Sequence, residues 1–144
     1  MTARSNYNLI LRYFVIVLLC LPLISFGLET PKDEQSFIAR TILSRAVDFN
    51  LPPKTMLGIA LCESSLNPRA KNFNKNNTTD RGVFQLNSVH NARLNQMGLN
   101  PYNYLDNINY ALFLAQTEGL QHWNATLKCA KSSDTQKKIA LLDT

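Results

Sequence analysis

Asparagine is concentrated in one short stretch of this chain, and that stretch limits how the remainder can fold. Between residues 67 and 80 stand Asn67, Asn72, Asn74, Asn76 and Asn77, together with Pro68, Thr78 and Thr79. Such side chains hydrogen-bond the neighbouring backbone and compete with a helical ladder, so the segment reads as an irregular loop or a short hairpin. On either side, apolar residues recur at helical spacing. Ile38, Ile42, Ala46 and Phe49 predict an amphipathic helix over 31–49, opened by Thr30 as N-cap and Pro31 at the first helical position. Leu51-Pro52-Pro53 breaks it and starts a second helix from Pro53 to about Ser64. Val89 to Met97 reads as a weak helix stopped by Gly98. Asp106 reads as the cap of a stronger one carrying Ile108, Ala111, Leu112 and Ala115, with Gly119 as its end. A last helix starts near His122-Trp123 and includes Leu127, and residues 131–144 read as a polar, frayed tail in which only Ile139 to Leu142 can pack. The expectation is a mainly α fold: one small helical domain over residues 28–130 with an Asn-rich loop or short hairpin in its middle.

The first 27 residues follow a different pattern. Arg4 and Arg12 precede an uncharged run from Tyr13 to Phe26, and Ser25 and Gly27 are the small residues before a cut at Leu28. A membrane-spanning helix needs about 20 apolar residues, and Pro22 interrupts this run. Residues 1–27 therefore read as a signal peptide, with an uncleaved anchor as the other reading. Leu19 ahead of Cys20 speaks against lipoprotein processing. The expected location is outside the cytoplasm, periplasmic or secreted. Cys20 would leave with the leader, and Cys62 and Cys129 remain as an even pair, either a disulfide or two buried thiols. These cysteines, His90 and His122 are far apart in sequence, so the spacing calls for no metal and no cofactor. The formal charge of +5 suits an anionic partner, but only Lys137 and Lys138 are adjacent basic residues. That excludes the basic patch of a nucleic-acid-binding protein.

Glu63 is the first candidate for chemistry. Met56, Ala60 and Glu63 fall at i, i+4 and i+7, so the carboxyl ends an apolar stripe where desolvation raises its pKa. A carboxylic acid kept protonated near neutral pH can protonate a leaving oxygen. The plainer reading is a helix-end residue or a partner of Arg69 or Arg81. Asp80, in the polar loop, is either a turn residue or the second carboxylate that glycoside hydrolysis ordinarily requires. Ser64 and Ser65 lack the Gly-x-Ser-x-Gly setting of a serine nucleophile. Phe73, Phe84, Tyr102, Tyr104 and Trp123 are candidates to stack on sugar rings or to fill the core.

Taken together, Glu63-Ser64 with Asn67-Pro68 and Ala70, then Asn72-x-Asn74-x-Asn76, Asp80-x-Gly82 and Gly82-Val83-Phe84-Gln85-Leu86-Asn87 form a pattern. It resembles the lysozyme-like lytic transglycosylases (SLT domain) of bacterial cell walls, nearest to the specialised members that accompany conjugation, secretion and pilus machines. Asn107-Ile108 and Trp123-x-Ala125 are similar to later blocks of the same family. The Asp80 loop also resembles that of animal-type lysozymes.

The resemblance implies a lysozyme-like α+β arrangement in which the Asn-rich segment flanks an active-site cleft. It implies Glu63 as sole catalytic acid/base, Asp80 as a supporting carboxylate, and Ser64, Gln85 and Asn87 as substrate-binding. The implied reaction cleaves the bond between N-acetylmuramic acid and N-acetylglucosamine and closes a 1,6-anhydro ring. The implied partners are peptidoglycan strands and a secretion, conjugation or pilus apparatus, for a monomeric enzyme. Cys129-Ala130 stands where the family usually carries a Tyr-Asn pair, which by the family's packing puts Cys129 near Cys62 and favours the disulfide. Two other functions fit the same residues: a hydrolytic muramidase, and a non-catalytic glycan-binding or scaffold protein.

Overall fold

Helix α1 (Pro31–Asp48) turns Ile38, Ala39, Ile42 and Ala46 inward, and all four are buried. Asp33 and Glu34 in its first turn and Arg45 in its last complement the helix dipole. Its end is a Schellman motif centred on Asn50, which adopts a left-handed φ of 54°. The Leu51 N–H bonds the Ala46 carbonyl and the Asn50 N–H bonds the Val47 carbonyl, both at 2.9 Å. The stop is thus made by Asn50, and the two prolines then open helix α2 (Pro53–Ser64), where a missing N–H removes no helical bond. The computed structural model describes residues 31–142, so the signal peptide expected over 1–27 and the Thr30 cap lie outside the described residues.

Five consecutive residues of α2, Met56 to Ala60, are buried, as befits a helix covered on nearly every side. After it come three short strands, β1 (Lys71–Phe73), β2 (Thr79–Arg81) and β3 (Leu86–Asn87), then a 3-10 turn (Ser88–His90) leading into α3 (Asn91–Gln96). Helix α4 (Tyr104–Glu118), a second 3-10 turn (Leu120–Trp123), α5 (Leu127–Ala130) and α6 (Ser133–Leu142) complete the described chain. Helices α1, α5 and α6 all pack on α2, and α4 packs on α1. Gly58 lets α5 lie directly on α2, because a Cβ there would stand 2.9 Å from the Ala130 carbonyl oxygen. The architecture is mainly α with a small antiparallel sheet, as expected. Among the described residues no helix is long and apolar enough to cross a membrane.

Three local expectations are corrected. The cap of α4 is Asn103, whose side-chain oxygen accepts the Leu105 and Asp106 N–H groups. Asp106 sits inside the first turn and accepts the Asn100 N–H at 3.0 Å. The helix expected from His122 divides into the 3-10 turn and α5. Most clearly, the segment after Lys131 is not a frayed tail, since α6 is an ordered helix that buries Thr135 and Ile139 at i and i+4. Ser132 accepts the Thr135 N–H at its start, as an N-cap does.

Cys62 and Cys129 are joined by a disulfide, and the Thr135 hydroxyl lies 3.6 Å from Cys62 Sγ. The bond closes a loop of 67 residues, which in the chain-entropy picture stabilises the fold by about 4 kcal/mol. Replacing both cysteines by alanine should therefore lower the unfolding free energy by about that amount. Urea titration of the two proteins checks it, and an unchanged midpoint contradicts it.

Candidate active site

Glu63 sits in the last turn of α2, and the chain leaves that helix abruptly. Ser65 and Leu66 both take left-handed φ values, 53° and 64°, which cost L-residues on the order of 1 kcal/mol each. Burial of the Leu66 side chain opposes that cost. The Ser64 hydroxyl donates to the Val83 carbonyl at 2.7 Å, tying the helix end to the loop beyond β2. Ser64 is therefore a brace between two segments and does not line the cleft.

The asparagines of the middle segment wire a carboxylate. Strands β1 and β2 form an antiparallel hairpin with Asn72 opposite Asp80, and β3 adds Asn87 on the other side of Asp80. The Asn74 N–H closes the turn onto the Thr78 carbonyl at 2.9 Å. The Asn74 side-chain amide donates to Asp80 Oδ2 at 2.8 Å, and the Asn87 amide donates to Asp80 Oδ1 at 2.6 Å. The second Asn87 amide hydrogen goes to Thr78 Oγ1 at 2.9 Å, and its oxygen accepts the Val89 N–H. Asn87 thus spends both donors inside the sheet, holding Asp80.

Between β2 and β3 the chain makes a tight turn in which Gly82 has φ +73°. A Cβ at Gly82 would lie 2.3 Å from both the Asn107 amide nitrogen and the Pro101 carbonyl oxygen, so no other residue fits. Asn107, fully buried on α4, donates to the Arg81 and Pro101 carbonyls and accepts the Phe84 N–H at 2.8 Å. The Trp123 indole N–H donates to the Phe84 carbonyl at 3.0 Å. Phe84 and Trp123 meet edge to face at 5.8 Å. Gln85, also at positive φ, donates its side-chain amide to the Gly82 carbonyl.

The result is a cleft of about 300 Å³ lined by Glu63, Asp80, Gln85, Asn87, Trp123 and Thr126, with His90 and His122 also on its wall. Phe73, by contrast, is exposed on the hairpin with Lys71 Nζ over its ring, and Tyr104 packs against Phe37 away from the cleft. The half-buried Glu63 carboxyl accepts a hydrogen bond from the Thr126 hydroxyl. Burial raises its pKa above the ordinary carboxylate value, the Thr126 bond opposes this, and the charge of Asp80 adds to the rise. Neither arginine considered from the sequence pairs with it: Arg69 faces Glu34, and Arg81 bonds Asn91. The histidines, far apart in sequence, meet at 5.5 Å between ring centres, with Glu118 bridging His122 and Arg93. Burial and the neighbouring His122 push the His90 pKa down. Among the described residues no three His, Cys, Asp or Glu side chains are grouped as a metal site requires.

Thr126 and the tying role of Asn107 were not foreseen. Asn107 had a legible signal, a polar residue in line with Ala111 and Leu114 at i, i+4 and i+7. Thr126 had none, because its meeting with Glu63 comes from how α2 and α5 pack.

The family model described as "Transglycosylase SLT domain" matches residues 40–128, more than half of the chain. The chain belongs to the SLT transglycosylase family. Protein IpgF of Shigella flexneri is 40% identical over 50 residues, 35% of this chain and 33% of that protein. Invasion protein IagB of Salmonella typhimurium is 39% identical over 51 residues, 35% of this chain and 32% of its own length. The matched region thus spans about a third of each curated relative. The crystal structure of lysozyme from Equus asinus superposes with a TM-score of 0.56 at 26% identity, covering 76% of this chain and 97% of that one. The SLT chain therefore carries the domain of an enzyme on a lysozyme-like fold.

The buried Asn107 amide makes this SLT cleft sensitive to a change far from Glu63. Asn107→Ala leaves the Phe84 N–H and the Arg81 and Pro101 carbonyls without their partner, so it should cost about 3 kcal/mol or more of stability. Chemical denaturation measures this, and a loss below about 1 kcal/mol would mean the groups find other partners.

Proposed function

We propose that this protein is a peptidoglycan lytic transglycosylase that cleaves the β-1,4 bond between N-acetylmuramic acid and N-acetylglucosamine and leaves a 1,6-anhydromuramoyl end. The observation that carries the reading is a single half-buried carboxyl of raised pKa, Glu63, on the wall of the cleft. Protonated Glu63 gives its proton to the glycosidic oxygen as the C1–O bond breaks, and the N-acetylglucosamine part leaves. The Glu63 carboxylate then takes the proton of the muramoyl 6-hydroxyl, whose oxygen bonds C1. Glu63 ends protonated, ready for another cycle, and no water is consumed. The substrate supplies the nucleophile, so one acid/base suffices.

Asp80 has a supporting part. Both of its oxygens already accept amide N–H groups, which makes it a weaker nucleophile than a free carboxylate. Its negative charge favours the developing positive charge at C1 and keeps the proton on Glu63. Gln85 and the cleft edge are the candidates to hold the N-acetyl groups. The signal peptide reading of residues 1–27 and the disulfide both support work outside the cytoplasm, where peptidoglycan lies. Likeness to a protein named for invasion supports service to an apparatus that must pass the wall. Without residues 1–27, which carry Arg4 and Arg12, the net charge falls from +5 to +3, and it suits a polymer whose peptide stems carry carboxylates.

A second reading is hydrolysis by a muramidase, favoured by the likeness to lysozyme and by the presence of two carboxylates in one cleft. Mass spectrometry of the soluble muropeptides separates the two. Anhydro ends are expected, and reducing muramic acid would mean hydrolysis. Glu63→Gln should lower kcat by about 10²–10⁴-fold, the scale of general acid catalysis. Asp80→Asn should cost less and leave the product unchanged. A Glu63→Gln protein that still clears peptidoglycan would overturn Glu63 as the acid, and a wild type with no turnover would point to a glycan-binding scaffold.

A further inference from the structure

Cys62 immediately precedes Glu63, and Cys129 follows Thr126 by three residues, about one helical turn. The covalent strap between α2 and α5 therefore starts beside the acid and ends beside the hydroxyl that donates to it. Gly58 brings the α5 backbone onto α2 along the same seam. The Thr126 backbone is fixed as well, its N–H on the Trp123 carbonyl and its own carbonyl accepting the Ala130 N–H, both at 2.9 Å. Thr126 sits at the start of α5, yet its side chain makes no capping bond to that helix. The hydroxyl is directed to Glu63 alone among the described residues.

We propose that Thr126 is a positioning residue for the acid: its hydroxyl reserves Glu63 Oε1 as an acceptor and so leaves Oε2 as the oxygen that carries the transferred proton. The proposal deepens the transglycosylase reading and rests on it for the substrate.

A threonine hydroxyl has one proton, and giving it to Oε1 is compatible with a carboxylate or with a carboxyl protonated on Oε2. A carboxyl free to rotate would divide its proton between two oxygens, of which only one can stand within about 3 Å of the glycosidic oxygen. The same oxygen must afterwards collect the proton of the 6-hydroxyl. Holding one orientation through both half-reactions serves each of them. The bond also steadies the carboxylate that exists between the two transfers, against the burial and the Asp80 charge that favour the protonated form. The disulfide limits how far hydroxyl and carboxyl can separate.

The test compares Thr126→Val, which is nearly isosteric, with Thr126→Ser, which restores the hydroxyl. Two readouts are taken on the exported chain: the pH profile of kcat on purified glycan strands, and the titration midpoint of the ¹³C-labelled Glu63 carboxyl by NMR without substrate. Thr126→Val should lower kcat about tenfold with little change in KM, a fraction of the full general-acid effect. It should also move both the alkaline limb of the profile and the NMR midpoint to higher pH, because a bond that favours the ionised form is gone. Thr126→Ser should return both to wild-type values. An unmoved midpoint, or activity lost evenly across pH with the profile unchanged in shape, would overturn the proposal. Because the midpoint is read without substrate, an inactive wild type would sink the transglycosylase reading while leaving the Thr126 result to be judged by itself.

Discussion

The cleft depends on the side-chain amide of Asn107. One buried group takes the Phe84 N–H and gives its two hydrogens to the carbonyls of Arg81 and Pro101. It joins the end of β2, the turn into β3 and the connection before α4. Backbone polar groups in such a turn must find partners when they are buried, and helix or sheet ladders cannot supply them at a bend this tight. Gly82 is required by the same arrangement, since the amide occupies the space where a Cβ would be. With that turn fixed, the Val83 carbonyl meets Ser64, the Phe84 carbonyl meets Trp123, and β3 carries Asn87 to Asp80.

From that frame two carboxyl groups reach the same cleft by opposite routes. Glu63 arrives on a helix whose neighbours are apolar, so it loses water and gains little in return beyond one hydroxyl. Asp80 arrives on a strand whose flanking asparagines supply an N–H to each of its oxygens. The contrast follows the residue types brought by each element: an apolar stripe supplies no donors, and an asparagine-rich hairpin supplies many. Proximity then couples the two, because the charge of Asp80 makes ionisation of Glu63 costlier.

The parts that were legible in the amino-acid order are those governed by local rules. Helices α1 and α2 announce themselves through apolar residues at helical spacing, and the break between them through Leu51 and two prolines, although the stop itself is made by Asn50. The asparagine-rich segment was readable as turn-forming, but β3 has two residues, too few for a period to register. Helix α6 was hidden because Thr135 and Ile139, its buried pair, are separated by polar residues in a stretch rich in lysine and serine. The position of Glu63 at the end of a buried stripe could be read from spacing alone, but its partner could not. Thr126 and the meeting of His90 with His122 arise from long-range packing, which periodicity does not encode. The family resemblance points to Ser64 and Asn87 as substrate-binding; Asn87 lines the cleft while its amide holds Asp80, and the Ser64 hydroxyl bonds the Val83 carbonyl, contacts that residue order alone does not encode.

The raised pKa of Glu63 also bears on stability, with a definite sign. The folded chain holds the Glu63 proton more tightly than the unfolded chain does. Where the native state binds more protons, unfolding free energy falls as pH rises, here across the interval between the unfolded and the raised folded pKa. At low pH the group is neutral in both states and burial costs it little. At higher pH the unfolded chain gains from ionising Glu63 in water while the folded chain must either keep the proton or bury a charge. Glu63→Gln removes that difference while keeping the shape and an acceptor for Thr126. The variant should therefore equal the wild type in stability at acid pH and match or exceed it near neutrality, while losing the acid. Denaturation curves at two pH values read this directly, and a Glu63→Gln protein less stable than wild type near neutrality would mean that the carboxyl contributes contacts the amide cannot replace.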